Sequence, residues 1–139
     1  AESAEFETFF KCNYLHSTSK FTWNDINFEI LENSHVFNMK SYGLLINHEN
    51  KTIYISTDGL LSESRINMLK TCDLILHDCE TLTIPSGVHA HISDLEKLDD
   101  EIKRKMWLYH YQNKVDISST FLGFLSTGQV ISIWQQNPM

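Results

Sequence analysis

The chain has 139 residues, of which 42 % are hydrophobic and 12 % aromatic, and its formal net charge is −7. This length suits one domain, and the apolar content is enough for a packed core, which excludes a disordered or low-complexity chain. The acidic balance argues against unspecific binding to nucleic acid, because the phosphate backbone would be repelled. It leaves room for a nucleotide or RNA held at a metal, since a cation supplies positive charge locally.

The cysteines and the apolar runs bear on the cellular compartment. Cys12, Cys72 and Cys79 are an odd number without CxxC spacing, which argues against a disulfide framework and a structural zinc knuckle. No apolar run approaches the roughly 20 residues that span a bilayer. The acidic start, AESAEFETFF, is not typical of a signal peptide. We therefore expect a cytoplasmic protein with free thiols and no membrane segment.

The first part of the chain predicts strands joined by tight turns. A run that begins at Glu5, EFETFFKCNYL, is rich in aromatic residues and favours a strand. Asn24 and Asp25 separate two apolar stretches and predict a hairpin turn. The polar residues 48–51 lie between two apolar runs and predict a second, clearer hairpin.

Helical and strand patterns alternate in the rest of the chain. A helix is expected to begin near Ser62, and a second helical stretch opens at residues 93–98, where Ser93 and Glu96 have capping-box spacing. Short apolar runs at residues 73–77 and 105–109 predict buried strands. After a turn at Thr127 and Gly128, residues 130–134 predict a last strand.

This order of elements predicts an α/β (α+β) fold, with a mixed sheet and helices on one face. No linker divides the chain, so we expect a single domain over residues 1–139. Asp58, Asp78 and His110 each follow or end an apolar strand, and ligand sites form at strand ends in open α/β sheets. Histidine and carboxylate groups suit zinc, manganese or iron. The pattern alone leaves two interpretations open, a metal site or polar residues that cap strands.

The order of five sequence stretches favours the metal site over residues that only cap strands. The stretches run from Ser34 to Gln112 as SHVFNMKSYGLLI, KTIYISTDG, CDLILHDCE, SGVHAHISDLEKL and KMWLYHYQ. Together they resemble the metallo-β-lactamase superfamily, in particular its ribonuclease Z and phosphodiesterase branch. The resemblance implies the C-terminal half of an αββα sandwich. It also implies metal-dependent hydrolysis of a phosphodiester in a small nucleotide or RNA.

The resemblance implies a metal ligand set. His35 would ligate a first metal, Asp58 would bridge two metals, and His110 would ligate the second. The metal would be zinc, with manganese or iron as alternatives. Two such cations about 3.5–4 Å apart activate a water and stabilise the departing oxygen of an in-line displacement.

The resemblance also implies an acid for the leaving group. His89, or alternatively His91, would donate the proton. Asp78 or Glu80 would orient that histidine. The catalytic residues expected from the sequence are therefore His89, His91 and Asp78.

The superfamily motif HxHxDH, which supplies most of the metal ligands, does not occur in the sequence. We therefore expect the N-terminal half of the fold to lie outside it, in a longer enzyme or in a partner chain, including a homodimer mate. The alternative is a non-catalytic binding or assembly module that retains half of the fold. Whether the chain is an enzyme depends on which of these holds.

Overall fold

The computed structural model describes residues 8, 10–11, 13–16, 19–36, 39–115 and 121–133. Seven strands of this part form one sheet, whose spatial order follows the chain. The strands are β1 (Lys20–Trp23), β2 (Ile26–Asn33), β3 (Ser41–His48), β4 (Lys51–Ile55), β5 (Leu74–Asp78), β6 (Met106–Tyr109) and β7 (Gly123–Phe124). The helices are a 3-10 turn (Glu63–Arg65), α1 (Ile66–Thr71), α2 (Ile92–Leu95) and α3 (Asp100–Lys103).

The first four strands form an antiparallel meander. Its two tight turns have left-handed backbone at both central residues, with φ of 48° and 62° at Asn24 and Asp25, and of 46° and 62° at Glu49 and Asn50. Such turns match the twist of paired strands, and Asn and Asp tolerate positive φ well. Both hairpins predicted from the turn residues are confirmed.

The remaining strands pair in parallel, from β4 to β7. The apolar runs at 73–77 and 105–109 form β5 and β6, as predicted, with ends shifted by one residue. Parallel strands place their carboxyl ends at the same edge of the sheet. The residues that follow β4, β5 and β6 therefore meet there.

The helices cover one face of the sheet and leave the other face open. Paired positions on neighbouring strands form one row of side chains: Leu45, Tyr54, Ile75 and Met106. This row packs against buried helix residues, among them Leu69, Leu95 and Ile102. The row on the opposite face is only half-buried and consists of Ile30, Leu44, Ile55, Leu76 and Trp107. The predicted α/β fold with a mixed sheet and helices on one face is confirmed.

The last strand differs from the prediction. β7 is formed by Gly123 and Phe124, whereas Val130, in the predicted strand, is 89 % exposed and residues 130–133 form none. Gly123 lies against the ring of Trp107, where an added Cβ would come within 2.5 Å of Cε3. This close approach, which the apolar pattern does not encode, selects the pairing segment.

Two further expectations concern the ends and the helices. Residues 5–7, 9 and 12 of the predicted strand that begins at Glu5 lie outside the described residues. The described ones, 8, 10–11 and 13–15, form no strand and are exposed, so the prediction is wrong there. Within the described residues, no helix has the length and apolar character that a membrane span needs.

A candidate metal site at the carboxyl edge of the sheet

Four side chains meet beyond the carboxyl ends of the parallel strands. Asp58 lies in the turn after β4, Asp78 ends β5, and His110 follows β6 directly. His89 comes from the loop between β5 and α2. One nitrogen or oxygen atom from each of the four lies within 4.8 Å of the others. Among the described residues, the fold thus brings together three strand-end residues that the sequence singled out, and His89 joins them.

Asp78 is the centre of this cluster and is fully buried. Its Oδ2 accepts hydrogen bonds from the Gly59 amide at 3.1 Å and from His89 Nδ1 at 2.7 Å. Its Oδ1 lies 3.0 Å from His110 Nδ1. A carboxylate that accepts a hydrogen bond from Nδ1–H fixes the imidazole tautomer. It leaves Nε2 as the ligating or proton-carrying atom.

Asp58 has one oxygen without a hydrogen bond. Its Oδ1 lies 2.9 Å from His89 Nδ1, but that nitrogen carries one proton at most and bonds to Asp78. The Oδ1 atom is buried without a hydrogen-bond partner, a costly arrangement unless a cation or a proton compensates it. Two carboxylates and two imidazoles are also the donor set that zinc, manganese and iron take. These residues therefore fit a divalent cation.

His89 lies between the two carboxylates. Burial lowers the pKa of His89, but the hydrogen bond that His89 donates to Asp78 and the charges of Asp78, Asp58 and Glu80 outweigh burial and raise the pKa above its ordinary value. The protonated imidazole is therefore favoured while these carboxylates are ionised.

His35 borders the cluster from the chain segment before β3. Its Nε2 lies 3.4 Å from Asp58 Oδ2, and its side chain is 6 % exposed. Its Nδ1 lies 3.3 Å from the carbonyl oxygen of Val88, next to His89. His35 thus contacts the site through Asp58.

His91 and Glu80 form hydrogen bonds within the loop that carries His89. His91 Nδ1 accepts the Ser93 amide proton at 3.2 Å, and His91 Nε2 lies 2.8 Å from the Leu82 carbonyl. His91 therefore caps α2, where the sequence predicted Ser93 as the cap, and it is not among the four clustered residues. Buried Glu80 accepts the Ser86 amide proton at 2.7 Å, so it contacts the loop and not the His89 ring.

The backbone at two of these strand ends is left-handed, with φ of 54° at Thr57 and 65° at His110. This conformation is uncommon for residues other than glycine, and most of all for a β-branched one. Two hydrogen bonds to β3 fix the turn that contains Thr57 and Asp58. Thr57 Oγ1 donates to the Tyr42 carbonyl at 2.5 Å, and Ser41 Oγ donates to the Asp58 carbonyl. Nothing in the sequence pattern indicates this supporting role of Ser41, Tyr42 and Thr57.

The fold is similar to three solved structures. The metallo-β-lactamase fold protein YhfI from Bacillus subtilis matches with a TM-score of 0.65 and 17 % identity, over 80 % of this chain and 48 % of its own. A diphosphatase of the PhnP family gives a TM-score of 0.61 with 12 % identity, over 86 % and 49 %. The short form of human tRNase Z gives 0.56 with 15 % identity, over 81 % and 45 %. The chain therefore has part of a metallo-β-lactamase fold.

Comparison of the sequence identifies the family more narrowly than comparison of the fold does. Residues 1–131 match the family described as anti-Pycsar protein Apyc1, and the chain belongs to that family. Proteins of this name from Paenibacillus xerothermodurans and Bacillus phage 010DV004 are 30 % and 32 % identical, over 63 % and 66 % of this chain. The chain spans about 35 % of the length of each of them.

Proposed function

We propose that this chain supplies part of the active site of a divalent-metal hydrolase that cleaves a phosphodiester in a small nucleotide or RNA. The carrying observation is the group of Asp58, Asp78, His89 and His110 at the carboxyl edge of the sheet, in which one buried oxygen of Asp58 has no hydrogen-bond partner. The similarity to a tRNase Z and to a diphosphatase supports the phosphodiesterase branch of the fold.

In this proposal Asp58 and His110 hold metal, and His35 joins them through its contact with Asp58. Zinc fits the donor set best, with manganese and iron as alternatives. A bound divalent cation supplies positive charge that polarises the phosphoryl group and acidifies the attacking water. Asp78 holds the His110 ring through Nδ1, so that its Nε2 is the atom that ligates.

His89 is the acid for the leaving oxygen. Its Nδ1 is held by Asp78, which leaves the Nε2 proton for transfer. The Asp78 carboxylate holds the ring in place for that transfer. Of the two loop histidines, the proposal favours His89 over His91, because both ring nitrogens of His91 are engaged in the cap of α2 and with Leu82.

The ligands of this chain do not complete two metal sites, since each cation takes about four to six ligands. We propose that the remaining ligands come from polypeptide outside these 139 residues, either of a longer chain, of a partner or of a second copy. The half-buried apolar row on the open face of the sheet, which includes Leu44, Ile55 and Leu76, is where such a segment would pack.

Metal affinity tests the proposal. Zinc binding is measured by competition with a chelator for the unchanged protein, for Asp58→Asn and for Asp25→Asn. Asp25 is the matched control, because it lies in a hairpin turn with φ of 62° that asparagine also tolerates. We expect Asp58→Asn to weaken zinc binding by at least about tenfold and Asp25→Asn to leave it unchanged. Equal affinities in all three proteins, or none, would overturn the proposal.

Activity separates the substrate classes. The same three proteins, together with the polypeptide that supplies the remaining ligands, are assayed on cyclic and linear nucleotide phosphodiesters and on short RNA. Hydrolysis that is lost in Asp58→Asn and kept in Asp25→Asn supports the enzyme. Zinc binding without hydrolysis of any of these substrates favours the alternative, an assembly module that uses the open apolar face.

A further inference from the structure

Two hydroxyl groups, of buried Ser56 and half-buried Tyr109, link the carboxyl ends of β4, β5 and β6. The backbone amide of Asp78 donates to Ser56 Oγ at 2.7 Å. Ser56 is 1 % exposed, and its Oγ lies 3.3 Å from the hydroxyl oxygen of Tyr109. The Tyr109 hydroxyl donates to the carbonyl oxygen of Thr57 at 2.5 Å. This hydroxyl relay, made of Ser56 and Tyr109, therefore connects the three strand ends that carry the clustered residues.

The relay joins the two places where the backbone is left-handed. Thr57 precedes Asp58, and Tyr109 precedes His110, so the bond from Tyr109 to Thr57 connects the neighbours of two proposed ligands. A residue in a sparsely populated backbone region is strained and persists only when its surroundings fix it. The Tyr109 hydroxyl provides such a contact to Thr57 from the strand that carries His110.

We infer that Tyr109 is a positioning residue, whose hydroxyl sets the separation of Asp58 and His110 through the Thr57 carbonyl. The inference rests on the proposed function, because it concerns the same metal site. Tyr109 lies outside the group of clustered ligands and contributes through the backbone of the turn. Residues that orient ligands in this way affect metal affinity without binding the metal.

Tyr109→Phe removes the hydroxyl and keeps the ring. Tyr111→Phe is a matched control, because the Tyr111 hydroxyl also donates to a backbone carbonyl, that of Leu125, and its ring packs on Phe124, away from the relay. Both variants thus lose a hydroxyl bond to a backbone carbonyl, and Tyr109→Phe also loses the contact with Ser56 Oγ. Two quantities are compared: hydrogen exchange at the amides of residues 57–59 in metal-free protein, and zinc affinity by chelator competition.

We expect Tyr109→Phe to speed exchange at residues 57–59 and to weaken zinc binding by about 10- to 100-fold, while Tyr111→Phe changes neither. Unchanged exchange at 57–59, or a zinc affinity equal to that of Tyr111→Phe, overturns the inference. So does loss of the cooperative unfolding transition in Tyr109→Phe alone, because the role would then be global.

The two failures can be told apart. If the unchanged protein binds no zinc, the proposed function fails. Exchange at residues 57–59 then still decides whether Tyr109 fixes the turn. If zinc binds normally in both tyrosine variants while exchange at 57–59 rises in Tyr109→Phe, the proposed function stands and the positioning role falls.

Discussion

Strand β5 starts directly after one aspartate and ends on another, and the two have different environments. Asp73 has a side chain that is 33 % exposed and accepts hydrogen bonds from Lys51 Nζ and the Thr52 amide, each at 2.9 Å. Asp78 is fully buried and is shared by two imidazoles and the Gly59 amide. A lysine and a backbone amide compensate the first carboxylate, whereas two imidazoles and a backbone amide compensate the second. Burial and the identity of the donors, not the residue type, separate the two aspartates.

The largest effect is expected at the buried end. Asp78→Asn weakens the bonds to two histidine rings, and hydrogen bonds to charged groups contribute about 1.5–3 kcal/mol each. We expect a loss of roughly 2–3 kcal/mol of unfolding free energy and at least about 100-fold weaker zinc binding. Denaturant unfolding and chelator competition measure the two quantities. If Asp78→Asn were as stable and bound zinc as tightly as Asp73→Asn, the contrast between the two ends would be wrong.

A smaller effect with a defined pH dependence is expected at the exposed end. The hydrogen bond from the Thr52 amide, and then Lys51, lower the pKa of Asp73. A lowered pKa in the folded state stabilises the protein above the unfolded-state pKa, about 3.9, and this stabilisation is lost as pH falls through the folded-state value. We expect Asp73→Asn to cost about 1 kcal/mol at pH 7, after allowance for solvent screening.

The measurement is chemical denaturation of both proteins over a range of pH. The difference between the unchanged protein and Asp73→Asn should close as the solution is acidified, and zinc affinity should not change. A difference that persists at the acidic limit would show that the carboxylate charge is not its source.

The smallest effect is expected at Asp99, whose Oδ2 lies 2.8 Å from Lys70 Nζ with a side chain that is 64 % exposed. Exposed ion pairs are screened by water and salt and often contribute nothing measurable. Asp99→Asn should leave the melting temperature unchanged at physiological salt. A clear drop would mean that exposure alone does not rank these three aspartates.

The sequence predicted the parts of the fold that local chemistry decides. Asn24 and Asp25 tolerate the positive φ of a tight hairpin turn, so that turn was predictable. The apolar runs of β5 and β6 marked buried strands, and Asp78 and His110 at their ends were predictable as site candidates.

The features that the sequence did not predict depend on contacts between residues far apart in the chain. β7 forms at Gly123 because its backbone approaches Trp107, which the more apolar run at 130–134 does not reveal. The large aromatic side chain of Trp23 favours burial by its type, yet Trp23 is 64 % exposed, since it lies in β1 beside the hairpin turn. The hydroxyl bond from Tyr109 to Thr57 joins residues that only the parallel pairing of strands brings together.

The parallel arrangement of β4, β5 and β6 also has a kinetic consequence. The hairpins of the meander join neighbouring segments through two-residue turns and need little loop closure, whereas the parallel strands pair only after longer connections have closed. The candidate ligands come from three different parallel strand ends, so none of the hairpins can assemble them alone. A refolding chain should thus form its hairpin hydrogen bonds first and its candidate metal site last. The zinc binding proposed for that site would therefore report the final stage of folding.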